Sequence, residues 1–420
     1  MSESNIVTAL VLGCGNRGEV YSTYALKHPE RFAIVGISES KEHVRAKFIE
    51  RYAKTIEKSK VFSDWSDVFK SSEKLADCVI IALPDKLHKE AAVKALNHGY
   101  HILLEKPMAT SLEDCKAIAM ECEKNPHLIN AVCHVLRYYD ACVKLKQIIE
   151  SGLIGDVVNI NHTEPVGFWH FAHSFVRGNW RNEAQSTFSL LAKCCHDIDL
   201  LVYWMGNKKR CVKVSSFGSL VHFRKENAPE NSSSNCFTCS VESNCAYSTK
   251  KIYLNRNVDP NSWPWSVVLD TDIFALTNIK SEDIEDTLKS KTDLEKIDLL
   301  KQCLSHPNSR YGRCVYKCDN DVCDNQVVIM NFDDNSIATL TMIAYSKNTC
   351  TRQTKIYGTK GELEWDDSIS STNITHTDFL TNKKQVIDAK ADTIFTHIPK
   401  SAIQLNRNLA KLSGHGGIYI

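Results

Sequence analysis

A chain of 420 residues whose 51 basic and 50 acidic side chains are mixed along its length, for a formal net charge of +1, lacks the basic footprint that nucleic acid or an anionic membrane demands. One hydrophobic core does not serve a chain of that length, so two to three domains of roughly 100 to 200 residues are expected. No apolar run approaches the roughly 18 residues of a membrane span. The opening MSESNIVTALVLG has no basic segment ahead of its apolar stretch, so a cytoplasmic protein with a small-molecule partner and no nucleic-acid or membrane partner is expected.

From Ile6 to about Ala131, the β-rich runs IVTALVLG, FAIVGIS, CVIIALP, YHILLEKP and LINAVCHV alternate with helical stretches such as HKEAAVKALNHG. That alternation predicts βαβ units around a doubly wound parallel sheet, a first α/β domain spanning residues 1–131. Its first strand runs into VLGCGNRGE, where Gly13, Gly15 and Gly18 have the G-x-G-x-x-G spacing. The first glycine permits a tight turn, the second lets the backbone approach a pyrophosphate, and the third lets helix and strand pack closely. The second strand leads to Glu39, a carboxylate placed for the hydroxyls of an adenosine ribose, which favours NAD. Ser38, Ser40, Lys41 and Arg45 keep NADP open. In HILLEKPMAT, an apolar strand ends in Glu105, Lys106 and Pro107. Ligands of such sheets gather at the carboxyl ends of the strands, so the Lys106 ammonium is expected beside the nicotinamide.

Beyond residue 131 the rhythm changes. An amphipathic helix, Tyr139 to Ser151, is closed by Gly152, and VVNINHTEP then alternates like a half-exposed strand. A helix from Ser189 to Met205 follows, and CVKVSSFGSLVHF, NQVVIMNF, SIATLTMIAYS and TRQTKIYGT read as antiparallel strands. The second domain, residues 132–420, is therefore an α+β unit on a large, mostly antiparallel sheet. Ile279 to Ser309 is charged and helical with loops, and with no Pro/Gly-rich linker the halves are expected to pack closely.

Two segments of this half carry chemistry. Glu164 to Ser186 packs Trp169, His170, His173, Arg177, Trp180 and Arg181 into a non-periodic stretch, suited to stacking on a sugar ring or, alternatively, to an ordered loop against the sheet. Cys236, Cys239 and Cys245 stand in C-x2-C-x5-C order, with Cys314, Cys318 and Cys323 further on. Zinc wants four ligands, and a fourth would have to come from His222 or the second group. The 17 cysteines, an odd number set mostly in apolar patterns, read first as reduced packing thiols, so no metal is assigned. Nothing in sequence places a His/Asn partner beside a cysteine, so none reads as a nucleophile.

GCGNRG, IIALPDKLH, LLEKP, LRYY, IESGLIGDVV and HDIDLL, in this order, are similar to the Gfo/Idh/MocA oxidoreductases, which include glucose-fructose oxidoreductase and inositol dehydrogenase. The resemblance implies that Gly13, Gly15, Asn16, Arg17, Gly18, Leu83, Pro84, His88, Glu105 and Lys106 join Glu39 in holding the cofactor. It also implies that Lys106 faces the reacting carbinol, that His196 is the acid/base, and that Arg137 joins the loop residues on the substrate. The implied reaction is hydride transfer between a nicotinamide and a secondary hydroxyl or ketone of a sugar, sugar derivative or cyclitol. A redox glycosidase that oxidises, eliminates and re-reduces, and a non-catalytic ligand sensor, are the alternatives. Many members carry an aspartate one turn before the histidine, where this chain has Ala192 and, beside it, Lys193. Lys193 and His196 are then expected either to share a face as two mutually depressed bases or to leave Lys193 as a solvated lysine. The family's open sheets imply a homodimer or homotetramer. LSGHGGIYI resembles a turn that leads into a last helix in one subgroup, and that helix is expected to be missing here.

Overall fold

Strand β1 (Val7–Leu12) is fully buried from Ala9 onward, as befits the middle of a sheet covered on both faces. The computed structural model describes residues 6–255, 258–276, 288 and 290–390 as two units.

In the first unit, β1, β2 (Phe32–Ser38), β3 (Val61–Phe62), β4 (Cys78–Ile81), β5 (His101–Leu104) and β6 (Asn130–Val132) pair in parallel in the order β3-β2-β1-β4-β5-β6. The crossovers are helical: α1 (Asn16–Lys27), α2 (Glu42–Arg51), α3 (His88–Asn97) and α4 (Leu112–Lys124). The order reverses between β1 and β4, which makes the carboxyl end of β1 the switch point where such sheets bind ligands. Helix α3 closes on the sheet because its inner face is Ala91, Ala92 and Ala95, small enough to meet Leu10, Leu12, Val79, Ile81, Ile102 and Leu104. Helices α8 (Trp265–Leu276) and α9 (Asp293–Ser305), read from sequence as part of the second half, belong to this unit. The Asp270 carboxyl on α8 stands in the field of Lys41, His43 and Lys47, but burial outweighs them and raises its pKa.

The second unit is an eight-stranded sheet ordered β14-β13-β12-β11-β7-β10-β9-β8. Its strands are β7 (Val157–Pro165), β8 (Cys211–Ser219), β9 (Asn325–Phe332), β10 (Ile337–Ile343), β11 (Gln353–Gly358), β12 (Gly361–Asp366), β13 (Asn373–Asp378) and β14 (Lys384–Asp388). Only the β7–β10 pair is parallel; the rest are antiparallel. Helix α5 (Asp140–Glu150) packs beside α7 (Ser189–Met205), with the short α6 (Phe168–Phe171) between them in the chain, and α7 lies on β7 and β10. Trp204 on α7 donates its indole N–H to the Cys142 carbonyl of α5 at 3.1 Å, fixing the two helices together. The one-sided burial of α7 follows from its apolar positions, and the helix spans the residues expected from sequence. LSGHGGIYI lies outside the described residues, as does most of Ile279 to Ser290.

Candidate active site

The glycine turn in the first unit is built for a close approach. Gly13 has φ +87°, and a Cβ there would stand 2.4 Å from the Ala82 carbonyl oxygen. A Cβ on Gly18 would meet the Gly13 oxygen at 2.0 Å, so α1 reaches its distance from β1 only with glycine. Gly15 meets nothing within 4 Å and caps α1, leaving the helix N-terminus open toward whatever lies above it. Gly15 and Asn16 are exposed at that mouth. Glu39, just past β2, accepts the Cys14 amide at 2.9 Å and the Lys41 amide at 2.9 Å, so the carboxylate is locked beside the turn. Arg45 spends its guanidinium on the Glu39 and Ser40 carbonyls. An open glycine turn, a helix N-terminus and a fixed carboxylate fit a dinucleotide with a free ribose 2′-hydroxyl.

At the end of β5, Glu105 is buried and holds three groups at once. Arg17 Nε reaches it at 2.7 Å, the Tyr21 hydroxyl at 2.6 Å, and the Lys106 amide at 2.6 Å. Burial pushes the Glu105 pKa up, but Arg17 and Lys106 outweigh it and hold the carboxyl below its ordinary range. Arg17, expected on the cofactor, is buried and its side chain braces Glu105. His88 ties two turns together: its ring nitrogens meet the Pro107 carbonyl at 2.7 Å and the Leu83 carbonyl at 2.9 Å. Pro84 starts the short turn between them, accepting the Leu87 amide at 2.8 Å. Lys106, 6% exposed, is thus fixed from both sides at a strand's carboxyl end.

In the second unit, α7 turns Lys193 and His196 inward; both are buried. Lys193 Nζ stands 3.0 Å from Cys350 Sγ and 3.6 Å from Glu164 of β7. Cys350 Sγ is in turn 3.3 Å from His170 Nδ1. Arg352 Nε bridges Glu164 at 2.8 Å and Asp197 at 3.0 Å, and Asp197 also meets His162 Nε2 at 3.0 Å. Burial pulls the Lys193 pKa down, yet Cys350 and Glu164 outweigh it and leave it above the ordinary lysine value. The expectation of a depressed, neutral Lys193 is therefore corrected, because Glu164 reaches it from β7, and so is the solvated alternative. Burial and then Lys193 hold the His170 imidazole well below its usual pKa. The His196 ring stands edge-on to His134, centroids 5.8 Å apart.

The remaining loop residues also have partners of their own, and Trp169 lies beside His170, ring centroids 5.9 Å apart. Trp169 donates to Thr349 Oγ1 at 3.0 Å. His173 is buried, bonded to the Tyr253 hydroxyl at 2.7 Å and stacked on Tyr311; burial and then Arg177 lower its pKa to about 3. Arg177 is fully buried and donates to the Arg313 and Tyr247 carbonyls. Trp180 packs near Phe175, and Arg181 pairs with Asp319 at 2.8 Å. Arg137 is committed to a two-point pair with Asp199, both contacts at 2.7 Å. Glu164, Cys350, Arg352 and Asp197 were not picked out from sequence. Among the described residues no three His, Cys, Asp or Glu side chains stand close enough, as they are, to hold a metal ion. No helix among them is long and apolar enough to cross a membrane.

Residues 7–132 match a model described as an oxidoreductase family with an NAD-binding Rossmann fold, and residues 146–252 match the C-terminal alpha/beta domain of the same family. An uncharacterized oxidoreductase of Streptococcus pneumoniae is 30% identical over 39% of this chain and 42% of its own length. A 2,7-anhydro-N-acetylneuraminate hydratase of Escherichia coli is 30% identical over 36% of this chain and 39% of its own. The chain thus spans less than half the length of these curated relatives. A levoglucosan dehydrogenase solved with NADH and levoglucosan shares the fold, with a TM-score of 0.61, 15% identity and coverage of 96% of this chain and 88% of that one. Matching both domains of one family in order, with its glycine turn and E-K-P strand end in place, the chain belongs to the Gfo/Idh/MocA oxidoreductase family.

Proposed function

We propose that the protein is an NAD-dependent oxidoreductase that moves hydride between the nicotinamide and a secondary hydroxyl, or the matching ketone, of a sugar, sugar derivative or cyclitol. The observation that carries this reading is a buried lysine fixed at the end of β5 in the same sheet as a glycine turn guarded by Glu39. The sugar ligand of the levoglucosan dehydrogenase supports the substrate class. Bound NAD would supply the hydride acceptor. Gly13, Gly15 and Gly18 give the backbone its approach, and Glu39 accepts the ribose hydroxyls. Lys106 holds the substrate oxygen and stabilises the negative charge that grows on it as the C–H bond breaks. His196 takes the hydroxyl proton, a task suited to imidazole near neutral pH. Lys193, kept cationic by Glu164 and Cys350, is a hydrogen-bond donor to substrate oxygen, not a base.

A second reading is favoured by the relative named as a hydratase. There the same hydride would be removed and returned within one turnover, so product forms without net NADH.

The test is a panel of sugars and cyclitols with added NAD, followed at once by NADH absorbance and by product mass. Turnover that falls about a hundredfold or more in Lys106→Ala is expected. NADH accumulation marks the dehydrogenase and its absence with product formed marks the cycling reaction. Turnover that is indifferent to Lys106→Ala contradicts both.

A further inference from the structure

Apart from the Lys193 cluster, the second unit gathers cysteines around a small cavity. Cys236 opens a tight turn (Cys236–Thr238) that Cys239 closes, Cys245 closes the next (Glu242–Asn244), and Cys314 precedes a third (Val315–Lys317). An isolated antiparallel bridge joins Asn235 to Arg313, completed by the Cys236 amide on the Gly312 carbonyl at 3.1 Å and the Cys314 amide on the Ser234 carbonyl at 2.8 Å. Residues one step past a bridged pair turn to the opposite face from that pair, so Cys236 and Cys314 fall on one side. With Cys239 and Cys245 they line a cavity of about 20 Å³, which has room for a single water-sized occupant. Cys318 does not line it; its thiol meets the Cys314 carbonyl at 3.3 Å.

A second, independent observation points to an occupant. Arg177 also lines the cavity and is 0% exposed. Its Nε and one terminal nitrogen donate to the Arg313 and Tyr247 carbonyls, and that same terminal nitrogen is 3.9 Å from Cys236 Sγ. The other terminal nitrogen is buried with no hydrogen-bond partner among the described residues. A buried guanidinium without a charged partner is costly, and the cost falls if the neighbouring sulfurs carry negative charge. A divalent cation removes that cost, because thiols release their protons when they ligate a metal.

We propose that Cys236, Cys239, Cys245 and Cys314 bind a structural zinc ion, with Arg177 offsetting the charge of the tetrathiolate. Four thiolates around Zn²⁺ carry a net charge of −2, which Arg177 halves. The four protons leave to solvent as the Zn–S bonds form, and nothing is oxidised or reduced. All-sulfur tetrahedral ligation selects zinc or an iron–sulfur centre, and a cavity of about 20 Å³ suits one ion. As the side chains stand, no three ligands meet on one point. Turning a cysteine between χ1 rotamers carries its sulfur roughly 3 Å, enough to reach Zn–S bonds of about 2.3 Å from the cavity wall. The ion would pin the Cys236–Cys245 insertion to the Cys314 segment and, through Arg177, to the turn that holds His170 and His173.

The test is the metal content of the full chain, purified without chelator, together with zinc release into a dye as a mercurial titrates the thiols. About one zinc per chain is expected, released as the four thiols react and lost in Cys239→Ser and Cys245→Ser. Cys211→Ser, at an exposed thiol outside the cluster, keeps its zinc. The wild-type measurement stands even where a variant fails to fold. A chain without zinc that takes up none on addition overturns the proposal. So does iron with acid-labile sulfide, or a mass about 2 Da low from a disulfide among these four cysteines.

Discussion

Gly18 and Glu39 set the terms for the cofactor in different ways. Gly18→Ala forces a Cβ to 2.0 Å from the Gly13 oxygen, so α1 must lift from β1. The expected result is loss of nucleotide binding with a lower melting temperature, checked by NADH titration and by thermal unfolding. Gly15→Ala, whose Cβ meets no protein atom, should leave the melting temperature unchanged while weakening the nucleotide. His173 makes a prediction about pH. Its folded pKa is about 3 against an unfolded value near 6.5, so below pH 6.5 the unfolded chain takes up a proton that the folded chain refuses. This contribution to stability is full above about 6.5 and is lost progressively as pH falls toward 3. In His173→Phe the dependence of unfolding free energy on pH across that window should flatten by about 1.4 kcal/mol per pH unit. An unchanged slope contradicts the assignment.

Helix α7, strand β7 and the segment after β10 are joined by one charged network. Arg352 reaches both Glu164, at 2.8 Å, and Asp197, at 3.0 Å, and all three are almost fully buried. Arg352→Met leaves two carboxylates buried against each other, and a loss of about 3 to 5 kcal/mol in denaturant unfolding is expected. The double change with Glu164→Gln should recover part of it. The elements themselves were readable: NQVVIMNF became β9 and Ser189–Met205 became α7 because period-2 and helical patterns declare their buried faces. The network was not, since Cys350 and His170 lie 180 positions apart and nothing local joins them. One signal was there. The buried face of β7 runs Ile160, His162, Glu164, and two polar residues on the inward face of an alternating strand require buried partners. The E-K-P turn was legible because its brace, Glu105 to the Lys106 amide, is local. The Arg17 brace on Glu105 was not legible, because the two residues lie 88 positions apart.

The open face of the second unit bears on assembly. Register places Phe217 opposite Val327, Ile329 opposite Thr339, and Asn331 opposite Ile337 on one face. Phe217 is 78% exposed, and Val327, Ile329 and Ile337 are exposed with it. A contiguous apolar face of this kind is what pairing of two chains would cover. A homo-oligomer is expected in light scattering, with Phe217→Asp shifting it toward monomer; a wild-type monomer at micromolar concentration contradicts this. The central claim concerns the nucleotide. Titration of wild type and Glu39→Ser with NADH and NADPH, followed by nicotinamide fluorescence, tests it most directly. Wild type should bind NADH at least about tenfold more tightly, by roughly 1.4 kcal/mol, and Glu39→Ser should lose that preference. Failure of both nucleotides to bind, or tighter binding of NADPH to wild type, would contradict the account.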